Sequence, residues 1–343
     1  MLVLGDSVSV FGINTYTTSV IKSFNVKSII DDYYKHDNYL GIPVVKSSNL
    51  PLDAPIINCA GGKINTTQEM ISKYTRNLIH YAELQKIYPK DLKELVFNEN
   101  FSEIYRENKK DFEHVRTLFE DDESKKIYDT LLKFRNTQEV KHLKIFKDNQ
   151  DKQYFEDFLH KSANTVFYDI GCFDGQTSID FLKWNTTAKK VVFFEPLKKN
   201  YQRCQERLKN YKNIEGRNIA LGCENAQAYI AGSDDTAVVS SETGELIASR
   251  KLDDLVSDLP APPTFIKMDV EGQELNALIG MSDVIKKYRP QIAISVYHKP
   301  KDFFQIPFYI NSLFDEYKIY LRHYTESIYE TVMFFVPKKK DHL

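Results

Sequence analysis

The sequence predicts an α/β protein: a doubly wound sheet with an antiparallel C-terminal edge in the second half, preceded by a small α/β domain and a helical middle segment. Three observations predict it. After residue 164 the chain repeats an apolar strand, a turn carrying glycine or an acid, and a helix-length segment. Residues 264–269 and 291–297 are near-continuous apolar runs, the texture of parallel strands buried on both faces. Residues 318–322 and 331–337 then close the chain as a hairpin.

A chain of 343 residues is long enough for two separate cores. Residues 1–66 carry short apolar runs at 2–4, 28–30, 42–45 and 56–59, with a helix expected over 15–24, and read as a small unit with a parallel sheet. Residues 67–160 are polar, with apolar residues at helical spacing: Ile71, Tyr74, Leu78 and Tyr81, then Ile127, Leu131 and Phe134. Pro89 and the acids Glu120 to Glu123 are expected breaks. Residues 161–343 hold the doubly wound part: strands over 165–170, 191–194 and 218–221, with helices over 178–183 and 197–210.

A formal charge of −2 offers nothing to a polyanion, and short lysine groups such as Lys338 to Lys340 read as a solvated surface, so no nucleic-acid partner is expected. Cys59, Cys172, Cys204 and Cys223 have neither zinc-site spacing nor the density of a disulfide scaffold, which predicts reduced thiols. No run of about 18 apolar residues and no basic leader occurs, so no membrane span is expected, and the protein is expected in the cytoplasm. The aromatic residues are spread over the expected helices and strands, where core packing is their ordinary use. The aromatic and charged helical middle could also form a contact between copies, so a homo-oligomer is compatible with the sequence.

The chemistry-bearing residues fall at strand ends. Val166 to Gly175 is an apolar strand running through Asp169 into Gly171, Cys172, Phe173 and Gly175. Gly171 permits a tight turn and close approach of a flat adenosyl group, and Gly175 relieves crowding where the helix starts. The three-glycine dinucleotide spacing is missing, because its next position is Phe173, which disfavours a nicotinamide cofactor. Glu195, followed by Pro196, ends the next strand 24 residues after Gly171, where a carboxylate can accept hydrogen bonds from both ribose hydroxyls. Asp269 and Glu271 stand two apart at the end of a buried strand, placed to orient a substrate hydroxyl, to hold a divalent cation through oxygen ligands, or to cap the helix that follows. His298 ends the next strand, and a neutral imidazole there is suited to taking a hydroxyl proton.

Taken in order, FYDIGCFDGQTS, FFEP, NIALG, ASRKLDDL, FIKMDVEGQELNALIG and SVYHKP…YLRHY…ETVMFFVP resemble the FkbM family of methyltransferases over about residues 150–337. The resemblance implies a class I methyltransferase fold, S-adenosyl-L-methionine as donor, and O-methylation of a sugar, glycan or related natural-product acceptor. It puts Asp169, Gly171 and Gly175 with Glu195 at the donor, Cys172, Phe173 and Pro196 beside them, and Asp269, Glu271 and His298 toward the acceptor. The first 65 residues resemble instead the small Rossmann-like domain at the front of sugar acyltransferases, although the expected turn Gly5 to Gly12 has too few glycines for a phosphate cradle. Three other readings stay open at this point: a nicotinamide-dependent nucleotide-sugar oxidoreductase, a catalytically silent binding protein of methyltransferase fold, and N-methylation of an amine.

Overall fold

The computed structural model describes residues 7–49, 55–231, 238–240 and 244–338. The chain forms two compact units, one of residues 1–107, 127–150 and 323–329, the other of residues 108–126, 151–322 and 330–343.

The first unit is built on strands β1 (Val8–Phe11), β2 (Val26–Ile30), β3 (Asn38–Tyr39), β4 (Ile42–Val45), β5 (Ile56–Asn58) and β6 (Leu78–His80), in the spatial order β3-β4-β2-β1-β5-β6. All neighbours are parallel except β3 with β4. Val10, Ile29, Ile30, Ile56 and Ile57 are fully buried in this sheet, as the β-branched runs require. The helix Thr15–Ser23 starts where Asn14 and Thr17 cap each other reciprocally.

Three expectations for this half are corrected. The apolar run at 2–4 lies outside the described residues, and the first described strand is β1, so the glycine turn is not Gly5 to Gly12 but follows β1 at Gly12 (φ +86°). The helical stripe through Ile71, Tyr74, Leu78 and Tyr81 does not exist: Tyr74 is exposed, the helix Ile64–Ser72 ends before it, and Leu78 starts β6, which pairs in parallel with β5. Nor is 67–160 a separate helical segment, because its residues divide between the two units: Phe112 and Val115 are buried in the second, Leu84, Leu131 and Phe134 in the first. The break at Glu120 to Glu123 does separate two helices, Lys109–Leu118 and Asp122–Thr137.

The second unit carries β7 (Val166–Ile170), β8 (Lys190–Phe194), β9 (Ile214–Arg217), β10 (Ala220–Leu221), β11 (Ala226–Ala231), β12 (Val238–Ser240), β13 (Glu245–Arg250), β14 (Phe265–Met268), β15 (Gln291–Ser295), β16 (Tyr317–His323) and β17 (Thr331–Pro337). Seven of these form one sheet in the order β16-β17-β15-β14-β7-β8-β9. The five central strands are parallel and β17 runs antiparallel to β15, which realises the expected doubly wound sheet with its antiparallel edge. The helix Gln176–Trp184 docks on the sheet through Phe181, whose ring stacks on Phe167 with centroids 4.0 Å apart. Strand order reverses at β7, with β8 on one side and β14 on the other, and ligands of such sheets bind in the crevice beyond the carboxyl ends there.

The third strand is Ile214–Arg217 rather than residues 218–221. Its sequence, IEGR, is only half buried at the sheet edge, and Gly216 leaves room for the Phe193 ring, so no apolar run announces it. The run at 218–221 supplies β10 instead, in a separate four-stranded sheet ordered β10-β13-β11-β12. No helix among the described residues is long and apolar enough to cross a membrane.

Candidate active site

The crevice starts with the turn after β7. Gly171 adopts φ +73°, and a Cβ placed on it would lie 1.9 Å from the Asp269 carbonyl oxygen at the end of β14. The glycine is therefore demanded by the close approach of two strand ends as well as by the left-handed turn. Asp169 supports that turn from behind. Fully buried, it accepts a 2.7 Å hydrogen bond from the Ser178 hydroxyl through Oδ2, and its Oδ1 lies 3.3 Å from the Lys267 ammonium. Lys267 donates in turn to the Gly171 carbonyl at 2.7 Å. Burial alone lowers the affinity of Lys267 for its proton, but the carboxylates of Asp169 and Asp269 outweigh it and raise its pKa above the ordinary lysine value.

Beyond the turn lies a cavity of about 510 Å³ whose opposite wall is the four-stranded sheet, through Leu221, Ala228, Ile230 and Ile247. Of the residues singled out in the sequence, Gly171, Cys172, Phe173, Glu195, Pro196, Asp269 and Glu271 line it; Asp169, Gly175 and His298 do not. Gly175 (φ +83°) opens the helix Gln176–Trp184 against Leu208. Glu195 is buried beside the turn, its Oε2 accepting from the Phe173 N–H and its Oε1 from the Leu197 N–H, each at 3.0 Å. Burial pushes its carboxyl up to about 7, against the opposing pull of those two bonds and of Lys267. Asn218 holds the same loop, donating to the carbonyls of Glu195 and Pro196.

At the far end of the cavity the acids converge. Asp269 Oδ2 accepts a 2.7 Å bond from the Tyr154 hydroxyl, while Oδ1 is buried and, among the described residues, accepts no hydrogen bond. Glu271 sits at φ +51°, and burial pushes its carboxyl up to about 7, with His298 pulling it down and Asp269 pushing it further up. Neither acid caps the next helix. Glu274 closes the loop instead, accepting from the N–H groups of Val270 and Gly272.

His298 departs from its expected role as a neutral base. Its side chain is 1% exposed, Nδ1 lies 2.9 Å from Glu274 Oε1, and Nε2 lies 3.4 Å from Asp269 Oδ1 and 3.5 Å from Glu271 Oε2. Burial opposes a charge on the ring, but the three carboxylates override it, Glu274 most strongly, and raise its pKa to about 10. An imidazolium has no lone pair with which to accept a proton.

Several residues of the site were not singled out in the sequence, although Tyr297 and Glu330 stand within the stretches SVYHKP and ETVMFFVP. Tyr154 and Glu330 reach the cavity from segments far away in sequence, and Tyr297 donates to Glu330 at 3.4 Å. Lys267 also left a trace, since a charge inside a buried apolar strand must be paired.

Residues 169–328 match the sequence model of the family described as Methyltransferase FkbM domain. Among solved structures, a methyltransferase FkbM from Methylobacillus flagellatus KT superposes with a TM-score of 0.77 at 21% identity, over 96% of this chain and 90% of that one. A precorrin-6y C5,15-methyltransferase from Geobacter metallireducens GS-15 gives 0.34 at 11% identity, over 52% and 82%. An rRNA methylase from Streptococcus thermophilus gives 0.35 at 13%, over 52% and 90%. No curated protein sequence matches the chain.

Proposed function

We propose, for a methyltransferase whose residues 169–328 form an FkbM domain, that it moves a methyl group from S-adenosyl-L-methionine to a hydroxyl oxygen of a sugar, nucleotide-sugar or related glycan or natural-product acceptor. The observation that carries the donor reading is Glu195, a carboxylate ending the second strand and already bonded to the Gly171–Phe173 turn inside the crevice. Each of its oxygens keeps a free lone-pair direction for a ribose hydroxyl. Gly171 lets the turn close against the end of β14 at the rim of the cavity, and Pro196, Leu197 and Leu221 supply apolar walls for the adenosyl group. Two glycines rather than three, and the family match, favour methyl transfer over hydride transfer.

The donor supplies a sulfonium-bound methyl open to in-line displacement. The protein's own part is to align the acceptor oxygen and remove its proton. Asp269 Oδ1 accepts a hydrogen bond from the acceptor hydroxyl, and Tyr154 fixes the carboxylate that does so. Glu271, partly ionised at neutral pH, takes the proton. With no cation bound, His298 stands behind them as a charged ring that stabilises both carboxylates. Sugars suit such a floor, because their hydroxyls donate to carboxylates.

Calorimetric titration with S-adenosylhomocysteine and, separately, NADH tests the donor: the thioether binds and the nicotinamide does not. Because the ionised form of Glu195 grips the ribose, affinity for S-adenosylhomocysteine rises with pH through about 7, so it is roughly fivefold weaker at pH 6 than at pH 7. Glu195→Gln weakens binding by roughly 10- to 150-fold and flattens that pH dependence. A slope retained in the variant removes Glu195 from the ribose. For the acceptor, Asp269→Asn lowers kcat by about 10²-fold or more in a methyl-transfer assay by mass spectrometry across nucleotide-sugars, with donor affinity unchanged.

A further inference from the structure

We propose that Asp269, Glu271 and His298 form a binding site for one divalent cation of the zinc type at the acceptor end of the cavity. One ligand atom from each lies within 4.8 Å of the other two. The spacing is informative. Tetrahedral coordination with bonds of 2.0–2.2 Å separates ligand atoms by roughly 3.3 to 3.6 Å, whereas cis positions of an octahedron at the same bond length stand about 3.0 Å apart. His298 Nε2 is 3.4 Å from Asp269 Oδ1 and 3.5 Å from Glu271 Oε2, which fits two edges of the tetrahedron.

The surroundings are those of a ligand set. Glu274 Oε1, 2.9 Å from His298 Nδ1, is itself fixed by the backbone N–H groups of Val270 and Gly272. A carboxylate on the remote nitrogen orients a ligating imidazole and turns its other nitrogen to the metal. Tyr154 does the same for Asp269, engaging Oδ2 and leaving the buried Oδ1 directed at the cluster. One nitrogen and two oxygens suit zinc better than magnesium, which prefers oxygen alone. Asp269 and Glu271 line the cavity and His298 stands behind them, so the fourth position faces the cavity. Binding exchanges the Nε2 proton for the cation, and the acceptor oxygen can take the open position, with Glu271 Oε1 still available for its proton. That last role rests on the methyl-transfer reading; the site itself does not.

The test uses the full chain in a Cys223→Ser background, which removes the exposed thiol, after treatment with a chelator. Co²⁺ is titrated while visible absorption is recorded, and Zn²⁺ is titrated by calorimetry. One equivalent of each is expected, with the intense visible bands of tetrahedral Co²⁺. Glu271→Gln abolishes the bands, and Glu274→Gln weakens affinity by about 10- to 100-fold. A cooperative chemical-denaturation transition, measured on the same samples, reports that each variant is folded. No saturable equivalent, or unchanged Co²⁺ binding in Glu271→Gln, overturns the cation site and leaves the donor reading standing. Failure of S-adenosylhomocysteine to bind the parent protein removes the methyl-transfer reading and leaves the metal result to stand or fall by itself.

Discussion

Gly171→Ala is expected to cost at least about 3 kcal/mol of stability and to abolish binding of S-adenosylhomocysteine. Two independent penalties meet at this position. The backbone is left-handed, at φ +73°, where a Cβ costs about 1–2 kcal/mol by itself. The Cβ would also fall 1.9 Å from the Asp269 carbonyl oxygen. Both are backbone features, so neither a rotamer change nor a small side-chain shift relieves the clash; β7 and β14 must separate at their carboxyl ends, where the cavity is. Gly175→Ala is the control. It shares the left-handed conformation (φ +83°), but the nearest neighbour of its Cβ would be the Leu208 Cδ1 methyl at 3.2 Å, with no other atom closer than 3.4 Å, so about 1–2 kcal/mol is expected and binding survives. Chemical denaturation of both variants checks the difference, and equal losses would mean that the strand approach is not what requires glycine at 171.

Lys267→Met is expected to destabilise the second unit by about 3–5 kcal/mol, the usual effect of removing one partner of a buried ion pair. Asp169 feels that loss in full, because it is 0% accessible and, among the described residues, keeps only the Ser178 hydroxyl as a donor. The carbonyl of Gly171 loses its donor as well. Asp169→Asn in the same chain removes the uncompensated charge, so Asp169→Asn/Lys267→Met recovers part of the stability lost by Lys267→Met alone, with a coupling of about 0.5–3 kcal/mol. Strictly additive losses in the double-mutant cycle would show that the two side chains do not act as a pair. The same measurement separates their role from that of Glu195: Lys267→Met acts on stability first, whereas Glu195→Gln acts on ligand affinity and its pH dependence.

The turn at Gly171 and the carboxylate Glu195, which we propose for the donor, were legible because their signals are local. A buried strand, a glycine forced by a turn and an acid at the next strand end occupy short windows, and parallel strands in consecutive order bring Gly171 and Glu195 together. The cluster proposed for the acceptor was legible only as residue types. Asp269, Glu271 and His298 were correctly placed at one sheet edge, but the state of His298 was not, since its charge is a sum over Glu274, Asp269 and Glu271 together with burial. Tyr154 and Glu330 lie far along the chain in irregular positions, and no periodicity points to them.

By itself the sequence determined which segments are strands buried on both faces, where the backbone must turn without a Cβ, and which acids stand at strand ends, because periodicity and backbone sterics act over a few residues. Tertiary structure alone decided that IEGR, not NIALG, is the third strand, that a second sheet walls the cavity, and that three carboxylates converge on the histidine. Those outcomes depend on edge pairing, packing and electrostatic sums among residues distant in the chain, which no short window contains.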